Sequence, residues 1–256
     1  MSDVVRVERD GGVMTLRINR PDKRNALTHA MYAGIADGLD AAAADPTVRV
    51  VVIAGAGGHF TAGNDLGDFL AGHSGEGERP VARFLRTISH FPKPLVAAVE
   101  GVAVGVGTTM LLHCDLVYAA EDAKLQLAFV NLALVPEAAS SLLLPRVVGN
   151  ARAAELFMFG EVFSGADAER YGIVNKAVPA GELEAFVASR AATLAAKPAS
   201  ALRATKKLLR HATTDTVPAR MAEEGELFAA GLKSEETREA MTAFMEKRAP
   251  DFSRFA

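Results

Sequence analysis

The chain contains a single cysteine, Cys114, and no tryptophan. One cysteine excludes an internal disulfide, which suits a reducing compartment. Nothing around Cys114 marks it as a nucleophile, and a core position accounts for it. Long apolar runs are also missing: none reaches the roughly 18 residues that a membrane span needs. The N-terminal MSDVVRVERDGG has neither a signal-type apolar stretch nor an arginine-rich amphipathic pattern, and the final RFA is not a peroxisomal address. The cytoplasm is therefore the expected location, and no membrane is expected as a partner. With 28 basic and 31 acidic residues, a net charge of -3 and no basic stripe, nucleic acid is not an expected partner either. The one basic cluster, Arg203, Lys206, Lys207 and Arg210, lies at helical spacing and reads as a solvated face. The six histidines, His29, His59, His73, His90, His113 and His211, share no paired-ligand spacing, so no metal is expected. The GxSxG pattern of covalent hydrolases is absent as well.

What is present is a chain of 256 residues, half of them hydrophobic, long enough for a full core of α/β type. Alternation over residues 3 to 8 and 13 to 18 about Asp10, Gly11 and Gly12 predicts a hairpin. Thr28 is placed to cap a helix over 29 to 44, which Asp45 and Pro46 stop. Strands are expected at 48 to 55, in PLVAAVEG, at 115 to 120 and at 173 to 178, with helices near 81 to 91 and 108 to 113. Pro136 is expected to open a helix running to about Val148, with another from 150 to 160. Ser164 and Asp167 have the spacing of a capping box. Beyond Gly181 the pattern is helical, broken at Pro198 and Pro218.

Two glycine-bearing segments follow buried strands. The first, AGAGGHFTAGNDLGDF, is not a dinucleotide fingerprint, because Phe60 stands where the third glycine is needed and Gly63 follows. The second carries Gly101, Gly105 and Gly107. Backbone N–H groups of two such turns converging on one oxygen make an oxyanion hole, which favours chemistry at a carbonyl. Glu137 is a lone acid among Leu134, Val135 and Leu142. Local sequence leaves two roles open for it: an acid favoured by a helix dipole, which lowers its pKa, or a desolvated base, whose pKa is raised.

The stretches RPDKRNAL at 20 to 27, HFTAGNDL at 59 to 66, PKPLVAAVEGVAVGVG at 92 to 107 and CDLVYAAEDAK at 114 to 124, together with the helical tail, resemble the crotonase (enoyl-CoA hydratase/isomerase) superfamily. The resemblance implies a ββα superhelical core over 1 to 195 and a C-terminal helical trimerisation region over 196 to 256, assembled as a homo-trimer or dimer of trimers. It implies an acyl-CoA substrate, with coenzyme A as part of that substrate and no separate cofactor. The thioester oxygen would sit between the N–H groups of Asn64 and Val106, beside Gly105. Lys23, Arg24, Ala26, Ala62, Asp65 and Leu66 fall at positions expected to bind coenzyme A, and Phe244 and Lys247 at positions expected to reach one held by another subunit. Hydratases of this superfamily use two glutamates. Thr109 and Phe129 occupy those positions here, as pocket lining. GNDL at 63 to 66 with PEAASS at 136 to 141 is similar to the peroxisomal-type Δ3,Δ2-enoyl-CoA isomerases, whose single glutamate Glu137 matches. The resemblance thus implies an isomerase, with a hydratase-like enzyme and a non-catalytic acyl-CoA-binding protein as alternatives.

Overall fold

The computed structural model describes residues 4–65, 67–68, 77–132, 134–210, 234–248, 250–253 and 255. Strands β1 (Val5–Asp10) and β2 (Val13–Ile18) form the expected hairpin. β3 (Val50–Gly55), β4 (Leu95–Val99), β6 (Leu116–Ala120) and β9 (Lys176–Val178) then add in parallel, giving a six-stranded sheet in the order β1-β2-β3-β4-β6-β9. The near-continuous apolar sequence of β3 follows from this, because a central parallel strand is covered on both faces. The helix His29–Ala44 crosses from β2 to β3 and buries Met31, Tyr32, Ile35 and Leu39, a stripe at helical spacing. Its N-terminus is held as expected, with the Thr28 hydroxyl accepting from Met31 N at 3.4 Å. Ser164 and Asp167 likewise form a reciprocal capping box at the start of Gly165–Tyr171.

A second sheet, of β5 (Val102–Val104), β7 (Lys124–Gln126) and β8 (Val162–Ser164), is absent from the sequence reading. Each strand has three residues, too few to show a period of two. The helix expected from Pro136 is a further correction. It runs over Ser140–Val148, because Ala138 and Ala139 adopt φ of +56° and +54°, a left-handed pair that cannot enter a right-handed helix. The basic cluster is corrected in part. Lys206, in the helix Ala199–Arg210, is buried, with its ammonium donating to Asp115 Oδ2 and Lys93 O, each at 2.7 Å. The break expected at Pro218 lies outside the described residues. Cys114 packs against the core, and burial pushes its thiol up to about 12, so it stays protonated and unreactive. Among the described residues no helix is long and apolar enough to cross a membrane, and no group of three metal-ligating side chains comes together.

Residues 60–65 are stitched on both sides, and this fixes the two glycine-bearing segments relative to one another. On one side Phe60 N donates to Glu100 O, Thr61 N to Val102 O, and Val104 N to Thr61 O, at 2.7 to 3.1 Å. On the other, Ala62 N donates to Arg24 O, Leu27 N to Gly63 O, and Asp65 N to Leu27 O, at 2.7 to 2.9 Å. Asn25, fully buried, locks the first loop to this seam. Its Nδ2 donates to Ala56 O at 2.9 Å and His59 O at 2.6 Å, and its Oδ1 accepts from Arg20 N at 2.7 Å. Truncating it would leave three backbone groups unpaired. Asn25→Ala is expected to lower unfolding free energy by about 2–4 kcal/mol in a urea titration. A loss below about 0.5 kcal/mol, the usual range for a neutral surface change, would contradict that role.

Candidate functional site

A cavity of about 520 Å³ opens where the two glycine-bearing segments meet, and Lys23, Ala26, Ala62, Asn64, Asp65, Gly105, Val106 and Phe129 all line it. Most of the residues picked out from sequence therefore meet in one place. Arg24 is exposed and outside the lining, as is Lys247. Phe244 belongs to the helix Glu235–Glu246, but its side chain is outside the described residues, and so is Leu66. A larger cleft of about 690 Å³ lies between the sheet and the helix Leu183–Ala195. It contains none of the expected site residues, and its Arg17 is already paired with Glu8 and Glu184.

The backbone of the site is specific. Gly105 sits at φ +56° and ψ -117°, a conformation open to glycine and little else. It precedes the short helix Val106–Thr109, whose first N–H groups have no partner inside the helix. Neither Asn64 N nor Val106 N donates to any acceptor among the described residues. Gly107 has a different reason to be glycine: a Cβ there would lie 2.6 Å from Thr61 Cγ2, so its role is close packing against the stitched segment.

Glu137 is held by three elements. Thr109, fully buried rather than part of the lining, donates its hydroxyl to Glu137 Oε1. Ser140 donates to Glu137 O from N at 2.9 Å and from Oγ at 2.6 Å. His113 Nε2 lies 2.8 Å from Ala138 O and must carry the hydrogen, because a carbonyl only accepts. Burial raises the Glu137 carboxyl above its ordinary value, and the Thr109 hydrogen bond partly offsets that rise. The helix-dipole reading is thereby overturned: the helix starts three residues later and burial outweighs the lowering influences. Burial lowers His113 below the usual imidazole value, with the Ala138 bond opposing and Arg210 adding to the shift.

Tyr32 connects the carboxylate to the cavity. Its hydroxyl donates to Asn64 Oδ1, and its pKa is pushed up by burial first and by the negative charge of Glu137 second. Glu137 does not itself line the cavity, but its charge reaches a side chain bonded to Asn64, which does. Asp65, the carboxylate in the lining, is engaged by Arg20 Nη1 at 2.7 Å and accepts from Asp68 N at 3.1 Å. Tyr32, His113, Ser140 and Arg20 were not singled out from sequence. Folding brings Tyr32 and His113 in from distant positions and neither carries a local motif, while Arg20 and Ser140 lie inside the RPDKRNAL and PEAASS stretches without being marked there as site residues.

The enoyl-CoA hydratase/isomerase family model matches residues 8–254, and the chain belongs to that family of enzymes. Its sequence is 36% identical over 248 residues to the enoyl-CoA delta isomerase 2 of Rattus norvegicus, covering 94% of this chain and 63% of the rat protein. It is 35% identical to the 1,2-epoxyphenylacetyl-CoA isomerase of Escherichia coli, covering 94% of this chain and 95% of that one. A solved structure described as a putative enoyl-CoA hydratase/carnithine racemase from Magnetospirillum magneticum superposes with a TM-score of 0.94 at 44% identity, covering 99% of this chain and 100% of that one. The α/β architecture is the crotonase fold.

The hydrogen bond from Thr109 stabilises the charged form of Glu137, so its loss should raise the carboxyl pKa further. In a carbon-13 NMR titration, Thr109→Val is expected to move the Glu137 midpoint upward from its already raised position. Because the folded value exceeds the unfolded one, this group favours folding most below 4.5, and that contribution is lost as pH rises through the raised value. A midpoint that falls or stays fixed in Thr109→Val would contradict the assignment.

Proposed function

We propose that the protein is a Δ3,Δ2-enoyl-CoA isomerase with Glu137 as its single base. The observation that carries this reading is the threonine at position 109: where the resemblance implies a hydratase glutamate, this chain has a neutral donor that serves Glu137. The ionised Glu137 carboxylate removes a proton from C2 of a 3-enoyl thioester, and the electron pair moves into the thioester carbonyl to give a dienolate. The N–H groups of Asn64 and Val106 hold the resulting oxyanion, each such donor contributing about 2.7–4 kcal/mol. Glu137, now protonated, returns the proton to C4, the double bond forms between C2 and C3, and the carboxylate is regenerated. One carboxylate serves both steps.

Addition of water by the hydratase route needs a second acid–base group. The E. coli relative at 33% identity that is named a 2,3-dehydroadipyl-CoA hydratase keeps that reading in view. Phe129 offers no proton, and the Asp65 carboxylate is occupied by Arg20, so isomerisation is favoured. Coenzyme A would run along Lys23, Ala26, Ala62 and Asp65, with no separate cofactor. Residues 196 to 256 would form the assembly region of a trimer or dimer of trimers.

Given separately, 3-enoyl-CoA should yield the conjugated thioester and 2-enoyl-CoA should yield little 3-hydroxyacyl product. Glu137→Gln should reduce the first reaction by about 10²–10⁴-fold while acyl-CoA binding persists. Parent-rate isomerisation by the variant would remove Glu137 as the base, and dominant hydration of 2-enoyl-CoA would overturn the isomerase reading.

A further inference from the structure

We propose that His113 is a positioning residue for Glu137: through the Ala138 carbonyl it holds the strained turn that aims the carboxylate. Ala138 and Ala139 both lie in the left-handed region, which costs free energy for any residue with a Cβ and persists only where neighbouring contacts determine it. Apolar packing on the approach to the turn does not supply those contacts, since Leu134 and Val135 there are both exposed, Val135 to 80%. Hydrogen bonds do. The Ser140 bonds to Glu137 O join residues three apart and can form in an ordinary turn. The His113 bond spans 25 residues and fixes the turn to another part of the protein.

That other part is the segment that carries the rest of the chemistry. The helix Val106–Thr109 continues directly into a 3-10 turn, Met110–His113, so Thr109 and His113 lie about one turn apart on a single buried segment. Thr109 grips the Glu137 carboxylate, His113 grips the carbonyl of the next residue, and Val106 at the head of the segment presents an N–H that meets no acceptor among the described residues. One attachment point would let the glutamate pivot. Two set both its position and its direction relative to Val106. His113 is in turn anchored from outside, because Arg210 donates to His113 O and to Asp115 Oδ1. Nothing in this arrangement requires His113 to touch a substrate.

The test compares His113→Phe, which keeps the planar shape without a donor, with His113→Gln, whose amide restores an N–H at similar reach. The first readout is the carbon-13 titration of Glu137. In His113→Phe the carboxylate swings toward water and its midpoint should fall toward the ordinary 4.5, while His113→Gln should return it toward the native value. The second readout rests on the isomerase reading: kcat on 3-enoyl-CoA should fall by about 10²-fold in His113→Phe, the scale of a displaced reacting group, with KM little changed and recovery in His113→Gln. If His113→Phe does not fold, His113→Asn, too short to reach Ala138, replaces it. An unchanged Glu137 midpoint in the donor-free variant, or a glutamine variant no better than it, overturns the proposal. A shifted midpoint in a protein whose parent form lacks isomerase activity supports the positioning role and overturns the isomerase reading instead.

Discussion

A half-buried carboxylate ionises more readily where a donor meets it, and here that donor is the Thr109 hydroxyl on Glu137. The character of the site follows from this pair. A second carboxylate close to Glu137 would disfavour its charged form, as like charges do at short range. Threonine removes that conflict. It leaves Glu137 with a pKa raised by burial and restrained by a hydrogen bond.

The frame around the pair is built by two different means. The six-stranded sheet and its helices are organised by apolar burial, with Leu16, Ile18, Ile53 and Leu95 fully enclosed. The site is organised by backbone hydrogen bonds from irregular segments, the seam of residues 60–65 between the first loop and β5. Burial tolerates small shifts, whereas hydrogen bonds impose direction. It is fitting that Asn64 and Val106, whose N–H groups meet no acceptor among the described residues, sit at or beside the seam, and that Gly107 is glycine so that the helix can approach Thr61.

The sequence disclosed what is encoded locally. The Thr28 cap, the Ser164–Asp167 box and the helix over 29–44 were readable to the residue, because a cap and its donor are neighbours in the chain. The apolar run of β3 was readable because both its faces are buried. The small sheet of β5, β7 and β8 was not, since three-residue strands show no period. Pro136 looked like a helix start until two left-handed alanines delayed the helix to Ser140. Lys206 looked solvated because its partner Asp115 is 91 residues away. Glu137 stands out in the sequence as a lone acid among apolar residues, its role and those of Asn64 and Val106 follow from motif resemblance, and Tyr32 and His113, which touch Asn64 and the Glu137 turn, carry no motif and are visible only in three dimensions.

The most direct measurement of a single proton carrier is the fate of a label. 3-Enoyl-CoA bearing deuterium at C2 is converted in ordinary water, and the product is read by NMR and mass spectrometry at low conversion. Transfer by Glu137 alone predicts deuterium at C4 of the conjugated thioester, carried there by the carboxylate that removed it. Equal transfer of deuterium to C4 by Glu137→Gln would contradict that carrier.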